Sequence, residues 1–165
     1  VLAESPQAVS GGDAQRVIDP RNAFLMDGML RDVAIFGTAA KASVALKRQD
    51  LAGKTGTTNE YVDAWFCGYQ ITVAACAWVG FDQPRKLGDK ETGGAAALPI
   101  WIGYMGRALK DVPSQLQQAP EGLVAFGSGR DRAYIYAEYA GREEPHEDEP
   151  DETPPRPDLS QPPTD

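Results

Sequence analysis

Histidine is nearly missing from this chain: His146 is the single one, and it has no cysteine or second histidine near it. That inventory excludes a Ser-His-Asp triad and a zinc site, leaving a solvated side chain as the expectation. A basic stripe is missing as well. The formal charge is −8, which argues against a nucleic-acid role. No initiating methionine and no basic-then-apolar leader stands at Val1. Any targeting segment is therefore expected outside this sequence, and the chain is expected to be processed or a fragment. Long apolar runs are absent but for residues 64–81, eighteen positions without a charge. A membrane helix fits them poorly. Gly68, Gln70 and Thr72 interrupt the run, and Asp63 and Asp82 flank it where Lys or Arg would be usual. Two buried strands joined by a turn fit better.

What is present suits one domain. The chain has 165 residues, 42% apolar and 24% charged, enough for a single sizeable core. Its charge is unevenly placed. Residues 142–165 hold nine acids against two arginines and seven of the thirteen prolines, while the rest nets only −1. Leu159 is the one aliphatic side chain there. Such a tail cannot bury enough apolar surface to offset the entropy of ordering, so it is expected to be disordered. The expected organisation is a main unit over 1–112, a small extension with a strand over 113–141, and the acidic tail over 142–165.

Within the main unit, Asp19-Pro20 reads as the cap and first residue of a helix that stops near Gly37. Met26, Met29, Leu30 and Val33 recur at helical spacing and predict its apolar stripe. Residues 39–46 suit a second, shorter helix. A short strand is expected over 51–58, then hairpin strands over 64–69 and 73–81. Both hairpin strands are apolar on both faces, which predicts a sheet covered on two sides. Leu98-Pro99 opens another helix, with Leu98, Trp101, Ile102, Met105 and Leu109 on its buried face. After Pro113 a polar linker and a strand over 132–138 are expected. The order helix, three strands, helix predicts an α+β fold, an antiparallel sheet packed on helices. Trp65, Trp78 and Trp101 read as core aromatics. Cys67 and Cys76 are expected to be buried free thiols, although a two-residue turn at Ile71-Thr72 would place them directly opposite. Asp63 suits a cap or loop anchor.

One segment carries chemistry: Ala52-Gly53-Lys54-Thr55-Gly56-Thr57-Thr58-Asn59. Gly53-Lys54-Thr55 mimics the end of a phosphate-binding loop, but Arg48 stands where that loop needs its first glycine. Gly127-x-Gly129 suggests a dinucleotide loop, but Arg132 occupies the third glycine position. Lys-Thr-Gly is a signature of serine enzymes that act on penicillin and on cell-wall peptides. Three residues alone recur by chance, so the surrounding text decides.

Leu51 through Asn59, Asp63-Ala64-Trp65-Phe66, Gly68-Tyr69 and Trp78-Val79-Gly80-Phe81-Asp82 together resemble the class A penicillin-binding proteins. Met29-Leu30-Arg31-Asp32-Val33 with Gly37-Thr38 upstream, and Glu91-Thr92-Gly93-Gly94 with Pro99-Ile100-Trp101 downstream, extend the resemblance over roughly 17–111. It implies the C-terminal part of a D,D-transpeptidase domain of the penicillin-binding/serine β-lactamase-like fold. The parent would be bifunctional, with a glycosyltransferase domain and a membrane anchor, on the periplasmic side of the inner membrane. Its substrates would be peptidoglycan stem peptides, β-lactams would acylate it, and no cofactor or metal is implied. Lys54 would set a cation beside the nucleophile and the substrate carboxylate. Thr55, Thr57 and Thr58 would line the substrate, with the hydroxyls of Thr55 and Thr57 on its carboxylate. Gly56 would let the acyl group approach, and the Thr57 N–H would be one oxyanion donor, with Trp65 near the cleft.

The family's nucleophile is a serine followed three residues later by lysine. None of the six serines here has that neighbour, nor an asparagine two residues later. Both signatures precede the Lys-Thr-Gly strand in the family, so truncation is the expected explanation and the chain alone should be inert. Thr38-x-x-Lys41 is a formal threonine version that family position makes a helix-loop feature. Two alternatives stand beside the transferase: a related carboxypeptidase or β-lactamase, and a non-catalytic interaction module that recruits a partner through the tail. The long C-terminal extension and Asp63-x-Trp65-Phe66 favour the transferase.

Overall fold

The structure, a computed structural model, describes residues 16–127 and 132–141. The acidic tail, with His146, lies outside the described residues. The architecture is α+β: α1 (Pro20–Ile35), α2 (Ala40–Leu46), β1 (Ala52–Thr57), β2 (Ala64–Gln70), β3 (Val73–Val79), α3 (Leu98–Ala108), β4 (Leu123–Phe126) and β5 (Ala133–Tyr136). Helix α1 starts as expected, with the Asp19 carboxylate accepting the Arg21 N–H at 2.8 Å and Pro20 in the first turn. Its buried residues are Phe24, Asp27 and Ala34, however, and Met26 and Met29 are exposed. The expected stripe is corrected at its two methionines, while Leu30 and Val33 are partly buried and Val33 packs against the core. Asp27 is buried because it has partners, Arg31 Nε at 3.1 Å and the Tyr69 hydroxyl at 2.9 Å.

Strands β1, β2 and β3 form an antiparallel meander in that order, with Lys54 opposite Cys67 and Cys67 opposite Cys76. The run over 64–81 is thus a hairpin, and no helix among the described residues is long and apolar enough to cross a membrane. One face of the sheet presents Ala64, Phe66, Gln70 and Ala77 to the core. Phe66, Leu51, Leu98, Trp101 and Met105 are fully buried there, and each such side chain contributes roughly 1.5–3 kcal/mol. The Trp101 ring meets Phe66 edge-on at 4.9 Å and its indole N–H donates to the Ala75 carbonyl at 3.0 Å. Gly68 makes room for it: a Cβ there would stand 2.9 Å from the Trp101 ring.

The opposite face carries Trp65, Cys67, Cys76 and Trp78, all exposed, which corrects the expectation of a sheet covered on two sides. The reason is topological. α3 packs on β2 and β3 from one side, whereas α1 packs chiefly on β1 and α2 and reaches the open face through the Tyr69–Asp27 hydrogen bond. Trp65 and Trp78 are therefore a surface pair, 6.0 Å apart, and Trp101 alone of the three tryptophans is core. Cys67 and Cys76 are neither buried nor free. They form a disulfide, because the two-residue turn sets them directly opposite on one face with Cα atoms 4.1 Å apart.

Beyond α3, the expected polar linker contains β4, which pairs with β5. This hairpin leans on α1 through Phe24 and Tyr134, whose rings are 5.0 Å apart, and through Arg21 and Glu138 at 3.0 Å. The chain leading to it is held by Arg48, which donates to the carbonyls of Val112 and Pro113 at 2.7 and 3.1 Å.

Candidate functional site

β1 is an outer strand: β2 pairs with one edge, and no described strand pairs with the other. Register then decides which backbone groups are free. The turn at Ile71-Thr72 makes Gln70 and Val73 the closing hydrogen-bonded pair, so pairing alternates from there across β2. Carried onto β1, the alternation turns the N–H and C=O of Lys54 and Gly56 toward β2. Those of Gly53, Thr55 and Thr57 point to the unpaired edge. Side chains alternate too. Lys54 lies in a row with Cys67 and Cys76 on the open face, while Thr55 and Thr57 lean toward the covered face.

Four groups meet at this edge. Lys54 is exposed, and its Nζ folds over the strand to donate to the Thr55 carbonyl at 3.1 Å and the Thr55 hydroxyl at 3.2 Å. The Thr55 hydroxyl in turn lies 3.1 Å from the hydroxyl of Thr38, in the turn between α1 and α2. The Thr57 hydroxyl accepts the Gly93 N–H at 3.0 Å. Gly93 opens a π-helical turn, Gly93–Ala97, that runs directly into α3 and is capped by the Thr92 hydroxyl. That turn passes so close beneath β1 that a Cβ on Gly93 would stand 2.6 Å from the Gly56 carbonyl and collide with that of Trp65. A larger residue would push the strand out of line.

Thr58 sits differently. Its hydroxyl accepts the Asp63 N–H at 2.8 Å and its own N–H donates to the Asp63 carbonyl at 3.1 Å, closing a loop. Within that loop Glu60 and Tyr61 both have left-handed backbone, φ 58° and 57°. Two such non-glycine residues cost of order 1–3 kcal/mol each and persist only where surrounding structure fixes them. Asp63 does so as the expected anchor, its carboxylate accepting the Trp78 indole N–H at 2.9 Å.

Of the residues singled out in the sequence, Lys54, Thr55, Gly56 and Thr57 share one edge, while the Thr58 hydroxyl is engaged in the loop. Thr38 and Gly93 were visible only as motif matches, since their proximity to β1 depends on two chain reversals. Lys41, the other half of Thr38-x-x-Lys41, is an exposed residue of α2. A separate cleft of about 610 Å³ lies between α1 and β5, lined by Met29, Phe36, Arg132 and Tyr134 among others, and shares no residue with β1.

Relatives of the chain are found among known proteins. The chain is 51% identical over 126 residues to penicillin-binding protein 1A of Pseudomonas aeruginosa, covering 76% of the chain and 15% of that relative. It is 46% identical over 127 residues to penicillin-binding protein 1A of Neisseria lactamica, covering 77% of the chain and 16% of the relative. The crystal structure of penicillin-binding protein 1A from Haemophilus influenzae superposes with a TM-score of 0.69 at 33% identity. That match covers 75% of this chain and 21% of the other. No family model matches. The chain thus spans about 15% of the length of the curated relatives it matches.

Proposed function

We propose, on the premise that this chain is homologous to part of the transpeptidase region of class A penicillin-binding proteins, that it forms one wall of a D,D-transpeptidase site. A serine elsewhere in the parent protein attacks the D-Ala-D-Ala bond of a peptidoglycan stem, and the amine of a second stem takes the acyl group. Lys54 holds a cation beside the serine and the substrate carboxylate, to which Thr55 donates its hydroxyl. The N–H of Thr57 serves as one oxyanion donor, the kind of group whose removal costs about a hundredfold to a thousandfold in rate. Gly56 leaves the acyl group room to lie against the strand. β-Lactams acylate the same serine. The parent works in the cell envelope, outside the cytoplasm, and is tethered by a segment other than this one.

One observation carries the reading: the Lys54-Thr55-Gly56-Thr57 strand has an edge that no described strand pairs, and its register turns the backbone groups of Thr55 and Thr57 toward that edge. Fluorescent penicillin followed by denaturing electrophoresis tests it. The complete parent should be labelled, and this chain alone should not, because the serine lies elsewhere. Lys54→Ala in the parent should slow labelling by about a hundredfold or more with the fold intact, through loss of a cation where negative charge develops. A labelled band at this chain's own mass, or a folded Lys54→Ala protein labelled at the normal rate, would overturn the proposal.

A further inference from the structure

The Thr38 hydroxyl lies outside the Lys-Thr-Gly strand, yet it stands in line with the groups of that strand. Lys54 Nζ, Thr55 Oγ1 and Thr38 Oγ1 follow one another at 3.2 and 3.1 Å. Loop packing fixes the line from the far side, since Gly94 brings its backbone against the Thr38 carbonyl and the Thr55 methyl, where a Cβ would stand 3.3 and 3.8 Å away. The backbone N–H of Ala39 donates to Val33 at 3.1 Å and that of Ala42 to Ala39 at 2.8 Å, so the turn that carries Thr38 is itself held.

Donor inventory gives this line a direction. A lysine ammonium only donates, whereas a hydroxyl has one hydrogen and two lone pairs. Thr55 Oγ1 therefore accepts from Lys54. If Thr38 donates into the second lone pair, the Thr55 hydrogen is left free to donate to a ligand. An anion beside Lys54 draws the hydrogens into that order, because each bond in such a chain polarises the next.

We infer that Thr38 is a positioning residue: it donates to the Thr55 hydroxyl so that Thr55 can donate to the carboxylate of the ligand. The inference rests on the function proposed above and goes beyond it by assigning work to a residue outside the Lys-Thr-Gly strand. Thr38 touches no ligand. Its removal should weaken recognition of the carboxylate and leave the rest of the acylation machinery in place.

The experiment uses the complete parent protein and two ligands, a penicillin with its free carboxylate and the methyl ester of the same compound. Thr38→Val keeps the shape and removes the hydroxyl; Thr38→Ser keeps the hydroxyl. Thr38→Val should slow acylation by the free acid about fivefold, the effect of one hydrogen bond between neutral groups, and leave the slower acylation by the ester unchanged. Thr38→Ser should restore the free-acid rate. Equal losses with both ligands, an unchanged free-acid rate, or a serine variant as slow as valine would each overturn the inference. Failure of the unaltered parent to be acylated is a separate result, which would overturn the function itself and this inference with it.

Discussion

Asp50 shows how a single side chain joins distant parts of the chain. Its carboxylate accepts from Arg48 Nε and Nη2 at 2.9 and 2.7 Å, from Gln70 Nε2 at 3.0 Å and from the Gln115 backbone N–H at 3.0 Å. Burial alone would raise its pKa, but the hydrogen bonds from Arg48, Gln115 and Gln70 more than offset that and hold it well below the usual carboxylate range. A depressed native value means the carboxylate stabilises the fold above its ordinary pKa of 3.8, and that this contribution is lost as pH falls through the native value. Asp50→Asn leaves the part-buried Arg48 without its anion and should cost about 3 kcal/mol at neutral pH. Denaturant midpoints in dilute solution, from pH 7 down to about 3, check it; the gap between wild type and variant should begin to narrow below about pH 4. A gap independent of pH would show that packing, not charge, is what the variant loses. None of this was legible in the sequence, where Arg48 entered only as the wrong residue for a phosphate loop.

At the scale of elements, legibility followed the strength of the local signal. Asp19-Pro20 marked a helix start because cap and first turn are chemically local, and the hairpin over 64–81 was readable because a turn divides an apolar run. The face of α1 was misread because methionines at helical spacing look like a core stripe, while its true inner face includes Asp27, buried through Tyr69 and Arg31. β4 was missed because four residues after Gly122 give too short a pattern to register without their partner strand. The cysteines were misread for a related reason: alternation alone cannot say which face of a strand apolar on both sides is covered. Their disulfide closes a loop with a sequence separation of only 9. Chain entropy for so short a loop gives about 2–3 kcal/mol. Cys67→Ser with Cys76→Ser should lower stability by up to that amount, and reductant should then have no further effect on the variant. Urea unfolding with and without reductant decides it; a doubly substituted chain as stable as the oxidised one would mean that strand pairing already fixes the hairpin.

Among the described residues, the three-stranded sheet has α3 packed on one face and leaves the other largely open. Its open face presents Trp65 and Trp78, 42% and 45% exposed, and Phe81, two residues beyond β3, is 38% exposed. Met29, within α1, and Phe36, just after it, are exposed as well. Both outer strands, β1 and β3, have an edge that no described strand pairs. An exposed edge templates pairing with another chain, and adjoining apolar surface stabilises the product. Purified by itself, the chain should therefore associate or aggregate at concentrations on the order of tens of micromolar, where partly covered species commonly do so. On the function proposed above, the rest of the parent protein should suppress this by pairing the free edges or covering the open face. Sedimentation velocity of the chain alone and of the complete parent checks the expectation. A compact, cooperatively unfolding monomer under those conditions would show that α1, α2 and α3 close a sufficient core alone. The open face would then be a stable surface, and Trp65 and Trp78 would need some other explanation than a missing cover.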